Sequence, residues 1–206
     1  MMTVCDFHTH HFSGKRPELL CCKEKLPHLQ WASLKCHPWN LPETFSPLPD
    51  NFAENLKSFT VLGEIGLDTM RPPTLDIQKK YLDELLKIAS DCRKPVIFHC
   101  VRAFPELFSA LKKYSLRWAI HGFRGKPVLL KEIWTRGGIV SLHPSIVKNI
   151  PLLTELRCPS GKIAFESDDS PDIDLDIIAQ ETCRLANNPD LINIANNTFM
   201  EFVSNE

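Results

Sequence analysis

The chain has 206 residues, long enough for one sizeable core and short for two. Its 24 basic residues against 25 acidic ones leave a net charge of -1, which excludes a global basic field that coats nucleic acid, so affinity for phosphate has to be local. No apolar run approaches the roughly eighteen residues of a membrane span, and eight scattered cysteines with no CxxC pair and no signal segment read as reduced thiols of a cytoplasmic protein with no membrane association and no evident obligate protein partner.

In chain order, TVCDF at 3–7 is the first predicted strand. ELLCC at 18–22 is a candidate further strand whose helix has to be nearly absent. WASLKC at 31–36 follows, then a proline-rich loop at 38–50, then TVLGEI at 60–65. The clearest helix spans 75–91, where Leu75, Tyr81, Leu82, Leu85, Leu86 and Ala89 form one apolar stripe. PVIFHC at 95–100, RWAIHG at 117–122, GIVSLH at 138–143 and KIAFES at 162–167 complete the strands; further helices fit 104–114, 126–136, 173–187 and 189–204. This alternation is that of an α/β chain with a parallel sheet and crossover helices, in a single domain over residues 1–206.

Seven or eight such units admit an open doubly wound sheet or a closed (β/α)8 barrel. No glycine-rich phosphate loop follows the first strand, and polar residues recur at the C-terminal ends of strands, so the expectation is a TIM-barrel-like (β/α)8 fold with a degenerate second unit. DFHTH places Asp6, His8 and His10 at alternate positions, on one face if the strand reaches them. His37, Glu64, His99, His121 and Asp168 end later strands, and a barrel points all of them to the mouth where such enzymes build active sites. Even without His37 and Asp6, four histidines and two carboxylates outnumber the ligands of one tetrahedral zinc and point to two metals.

The order DFHTH, CHPW, GEIGLD, PVIFHC, IHGF, ESDDSP and NNTFMEF resembles the TatD family of metal-dependent deoxyribonucleases, in the amidohydrolase superfamily, over residues 4–202. The resemblance implies a two-metal site: His8, His10 and Asp168 on one ion, Glu64 bridging to the second, His99 and His121 completing it. It further implies Asp168 as the proton acceptor from the attacking water, His37 facing substrate phosphate and Asp6 in support. The ions are zinc, magnesium or manganese, which the residue types leave open.

Departures from the family pattern are informative. The chain is trimmed between residues 11 and 31; HCVRAF carries Val101 and Arg102, HGFRG carries Gly122 and Arg124, and ESDDSP delays the proline. Arg102 and Arg124, with Arg71, Lys126, Lys15 and Arg16, are expected on a basic rim that binds substrate phosphate. Trp39 and Phe123 are candidates to stack on bases. Gln78 resembles a family glutamine and also fits a solvated helix position, and Asn196 and Asn197 fit caps of the last helix, with Asn197 matching a family asparagine.

The function expected is a phosphodiesterase acting on DNA or another phosphodiester, of the 3′–5′ exonuclease type. The alternative is a metal-dependent hydrolase of a carboxylic ester or amide, on a small metabolite or aminoacyl-tRNA. A non-catalytic relic is disfavoured because every ligand is kept.

Overall fold

The structure is a computed structural model that describes residues 3–204. Its elements are β1 (Asp6–Thr9), β2 (Glu18–Cys22), β3 (Ala32–Leu34), α1 (Phe52–Lys57), β4 (Val61–Asp68), α2 (Leu75–Asp91), β5 (Val96–Val101), α3 (Phe104–Leu111), β6 (Trp118–Phe123), α4 (Pro127–Thr135), β7 (Ile139–Leu142), α5 (Ile150–Leu156), β8 (Ile163–Phe165), α6 (Leu175–Ala186) and α7 (Leu191–Val203), with 3₁₀ turns at Pro38–Asn40 and Pro144–Lys148. The strands are ordered β1 to β8, the order of a (β/α)8 barrel, and the pairings β1–β2, β3–β4, β4–β5, β6–β7 and β7–β8 are parallel. No helix follows β2 before β3, so the second unit is degenerate as its sequence suggests, and none follows β1, so the first unit lacks its helix as well. Among the described residues no helix is long and apolar enough to cross a membrane.

By internal contacts the chain divides into two compact units, Met1–Leu20 with Ala119–Glu206, and Cys21–Trp118. In the first, β6, β7 and β8 pair in the register Phe123 to Leu142 and Leu142 to Phe165, and a Thr9–Asp168 bridge ties the segment after β8 to β1. Alternation on β1 sends Phe7 outward onto α7, with ring centroids 4.8 Å from Phe202 and 6.4 Å from Phe199, and turns Asp6 and His8 the other way. The strand begins at Asp6 and not at residue 3, for a reason of hydrogen bonding. The Val4 and Cys5 N–H groups donate to the side chains of Asp176 and Asn196, each at 2.8 Å, instead of to a neighbouring strand. Asn196 returns a bond to the Thr3 carbonyl (3.0 Å). Asn196 and Asn197 therefore lie inside α7, which runs on to Val203, and do not cap it.

In the second unit β3, β4 and β5 pair side by side. β4 continues to Asp68, past the predicted end at 65, because Gly66 is a point of close approach and not a turn: a Cβ there would stand 1.9 Å from the His99 carbonyl oxygen. α2 has the predicted bounds and buries Tyr81, Leu82, Leu85, Leu86 and Ala89, with Gln78 on the same face. It closes on Arg93 in the left-handed region (φ 54°), which lets Lys94 N–H reach the Ala89 carbonyl at 2.9 Å. The six-residue α1 and the seven-residue α5 have no counterpart in the sequence reading, since so short a helix shows too little periodicity.

Candidate metal centre

Backbone hydrogen bonds set the stage in the first unit. Asp168 N–H donates to the His8 carbonyl (2.9 Å) and His10 N–H to the Asp168 carbonyl (3.0 Å), which brings the Asp168 side chain beside both histidines. Asp168 Oδ1 lies 3.9 Å from His8 Nε2 and 3.7 Å from His10 Nε2. The His8 ring is 5.0 Å from that of His10 and 4.6 Å from that of His121. One donor atom each from His8, His121 and Asp168 fall within 4.8 Å of one another. Donors about 2.1 Å from a shared ion stand roughly 3–4 Å apart, and the 3.9 and 3.7 Å from Asp168 Oδ1 to His8 and His10 fall in that range, which makes the cluster a candidate site for a divalent cation. The structure thus groups His121 with His8 and Asp168.

Two buried acids support this cluster. Glu166, fully buried, accepts the Gly122 N–H at 2.6 Å and lies 3.7 Å from His121 Nδ1. Burial works against its ionisation, but His121, His8 and Ser141 hold its carboxyl below the ordinary range. Asp6 accepts the Ser167 N–H (3.0 Å) and the Ser167 hydroxyl (2.6 Å), fixing the residue before Asp168. Burial pushes the Asp6 carboxyl up to about 7, against the Ser167 bonds that lower it. A carboxyl raised on folding stabilises the fold below its unfolded value, near 4, and that contribution is lost as pH rises to 7. Chelated protein should therefore lose stability over that window by on the order of a few kcal/mol, and Asp6→Asn should flatten the loss. Melting curves from pH 4 to 8 check it; equal pH slopes in both proteins would refute it.

The second unit holds His37, Glu64 and His99, again with one donor atom each within 4.8 Å. Glu64 Oε1 is 3.0 Å from His37 Nε2 and 3.1 Å from His99 Nδ1. His37 Nδ1 accepts the Trp39 N–H (3.2 Å), so neutral His37 carries its proton on Nε2 and donates it to Glu64. Its lone pair is thereby occupied, and it orients the carboxylate instead of binding an ion. Burial lowers the His37 pKa, with Glu64 opposing, which keeps this neutral form. His99 Nε2 faces Asp68 Oδ2 at 3.2 Å, an arrangement that leaves Nδ1 and Glu64 Oε1 as the donors for a cation. Burial opposes ionisation of Asp68, yet bonds from Trp39, Met70 and His99 hold its carboxyl below the ordinary range.

Gln78 is fully buried and not solvated. Its side chain bonds Asp68 N–H (2.7 Å) and the carbonyls of Asp68 (2.8 Å), Arg71 (3.1 Å) and Pro73 (2.7 Å), which fixes Asp68 behind His99. Gln78→Leu strands several of these backbone groups and should cost about 3 kcal/mol or more. Urea unfolding measures it, and a loss under about 1 kcal/mol would mean that water replaces the amide.

The remaining candidates take varied places. Arg124 and Arg102 are exposed, Arg102 at φ 54° with Nη1 3.2 Å from Met70 Sδ. Arg16 is engaged by Asp176 (3.2 Å) and the Val4 carbonyl. Phe123 is buried, whereas Trp39 is half exposed: its indole N–H donates to Asp68 (2.7 Å), its ring lies 4.7 Å from His37 and 5.4 Å from His99, and the Arg71 guanidinium stands 5.2 Å from its centroid. Asp68, Glu166 and His143 escaped the sequence reading. Glu64, Gly66 and Asp68 alternate along β4 as Asp6 and His8 do along β1, and Glu166 stands two before Asp168. His143 repeats the histidine-proline element of His37.

Residues 2–193 match the model of the TatD related DNase family. The uncharacterized metal-dependent hydrolase YjjV of Escherichia coli K12 is 28% identical over 157 residues, 70% of this chain and 60% of that protein. Deoxyribonuclease Tat-D of Schizosaccharomyces pombe is 28% identical over 113 residues, 52% of this chain and 36% of that protein. The match thus spans less than two thirds of either relative's length. The crystal structure of the E. coli TatD homologue YjjV superposes with a TM-score of 0.75 at 21% identity, covering 97% of both chains, which shows the same barrel fold.

Proposed function

Because the chain belongs to the TatD related DNase family, we propose that it is a divalent-metal-dependent hydrolase that cleaves phosphodiester bonds of DNA, working inward from a 3′ end. The observation that carries this reading is two groups of nitrogen and oxygen side chains, His8, His121 and Asp168 in one unit and Glu64 with His99, oriented by His37, in the other. The donor set suits zinc, magnesium or manganese. We assign His8, His10, His121 and Asp168 to one ion, and Glu64 and His99 to a second. Bound there, such ions acidify a water and neutralise charge on phosphate oxygens.

The chain's own residues do the rest. Asp168, held by β1 backbone, accepts the water's proton. His37 keeps Glu64 Oε1 turned toward His99. Trp39, anchored at its nitrogen and half exposed, offers a stacking surface for a base beside His99, with Arg71 and Arg102 supplying charge for phosphate. Eight free thiols support a reducing, cytoplasmic setting, and the family match over most of the chain supports one hydrolase domain.

The test incubates metal-loaded protein with end-labelled single-stranded DNA, a generic phosphodiester and a carboxylic ester, with and without chelator. Stepwise loss of terminal nucleotides that chelator stops is the expected result. Trp39→Leu should raise KM for the oligonucleotide about tenfold and lower turnover of the generic phosphodiester far less, through the lost indole bond to Asp68 alone. Ester cleavage with intact DNA would keep the metals and overturn the substrate.

A further inference from the structure

His37 and His143 are the same local device. Each follows a strand, His143 directly after β7 and His37 three residues past the end of β3; each precedes a proline that opens a 3₁₀ turn, and each caps that turn through Nδ1: His37 accepts the Trp39 N–H, and His143 accepts the Ser145 N–H at 3.0 Å. A backbone N–H is always the donor, so neutral His143, like His37, carries its proton on Nε2. The two differ in what that proton meets. His37 gives it to Glu64 Oε1, whereas among the described residues no carboxylate lies within ion-pair distance of His143. A half-buried N–H donor is thus left for something outside the chain.

The register says what surrounds it. Phe123, Leu142 and Phe165 are paired across β6, β7 and β8, so the residues that follow them, Arg124, His143 and Glu166, leave the sheet at one level with His143 in the middle. Glu166 is turned to Gly122 N–H and His121, while Arg124 is exposed. Burial, then the nearby Arg124, hold His143 below the ordinary histidine range, against Glu166 and Asp168, which keeps the single Nε2 proton in place. A neutral N–H and a guanidinium on adjacent strand ends match an oxyanion with several acceptor oxygens.

We propose that His143 Nε2–H and the Arg124 guanidinium form a seat for a substrate phosphate oxygen beside the cluster of His8, His121 and Asp168. The seat rests on the phosphodiesterase reading above and adds His143 as a substrate-binding residue that is not a metal ligand. Its lone pair is spent on Ser145, so it binds anions and not cations.

The test compares His143→Asn with His143→Gln in metal-loaded protein. Asparagine keeps an acceptor for the Ser145 N–H but does not reach the Nε2 position; glutamine places an N–H there. The readouts are the inhibition constant of inorganic phosphate, KM and kcat for a generic phosphodiester, bound metal and melting temperature. His143→Asn should raise KM and the phosphate constant about tenfold, with kcat changed less and bound metal unchanged, and His143→Gln should recover most of the loss. Loss of an ion in His143→Asn, or equal and unchanged constants in both variants, would overturn the seat. Should wild-type protein cleave no phosphodiester, phosphate binding to the metal-loaded variants, followed calorimetrically, still decides it, so the two readings fail separately.

Discussion

Asp168→Asn should lower divalent-ion-dependent cleavage on the order of 10³–10⁴-fold and leave the fold intact. The bonds that place residue 168 run through its backbone, to the carbonyl of His8 and from the N–H of His10, and asparagine keeps both. Asparagine also tolerates the left-handed conformation at this position (φ 54°). What disappears is the negative charge on Oδ1, which faces His8 and His10 at 3.9 and 3.7 Å. Turnover, bound metal and melting temperature together check this. Activity retained within tenfold would mean that the proton goes elsewhere and that the carboxylate is dispensable to the ion.

Glu64→Gln should be comparably severe, on the order of 10³-fold, because charge facing a cation is worth several kcal/mol and each 1.4 kcal/mol is tenfold. Glutamine still accepts a bond from His37 Nε2 but would bring a neutral oxygen to the second ion proposed to lie between residue 64 and His99. His37→Ala supplies the comparison: it removes the group that orients Glu64 while leaving the charge, and should cost about 10–100-fold, as loss of an outer support does. Parallel titrations of activity against zinc and manganese separate the two. A His37 variant as damaged as the Glu64 variant would make the histidine itself a ligand.

Much of this architecture is legible in the sequence because parallel strands buried on both faces read as short apolar runs, and their polar ends stand out. PVIFHC and RWAIHG were displaced by a single residue at each end, and ELLCC proved to be a strand over its whole length. What stayed hidden has physical reasons. TVC at 3–5 has strand composition, but its N–H groups are satisfied by helix side chains, a partner choice that no local pattern encodes. Gly66 looked like the end of β4, and stopping there concealed Asp68, since the need for a glycine arises from the facing His99 backbone. Sequence leaves Gln78 between a family glutamine and a solvated helix position because its partners belong to an irregular loop, where period says nothing. HPS at 143–145 echoes HPW at 37–39, yet sequence alone does not mark His143, because a histidine cap shows itself only in the folded turn.

The left-handed backbone at Asp168 sets a conflict between durability and use. Glycine would adopt φ 54° at less cost than any residue with a Cβ, and the backbone bonds to His8 and His10 ask nothing of the side chain. Drift toward robustness alone would therefore favour glycine at this position, and under the catalytic role proposed for Asp168 selection for chemistry would oppose it. A lineage released from that selection would leave its first trace here, in a barrel that folds better than its ancestor and hydrolyses nothing.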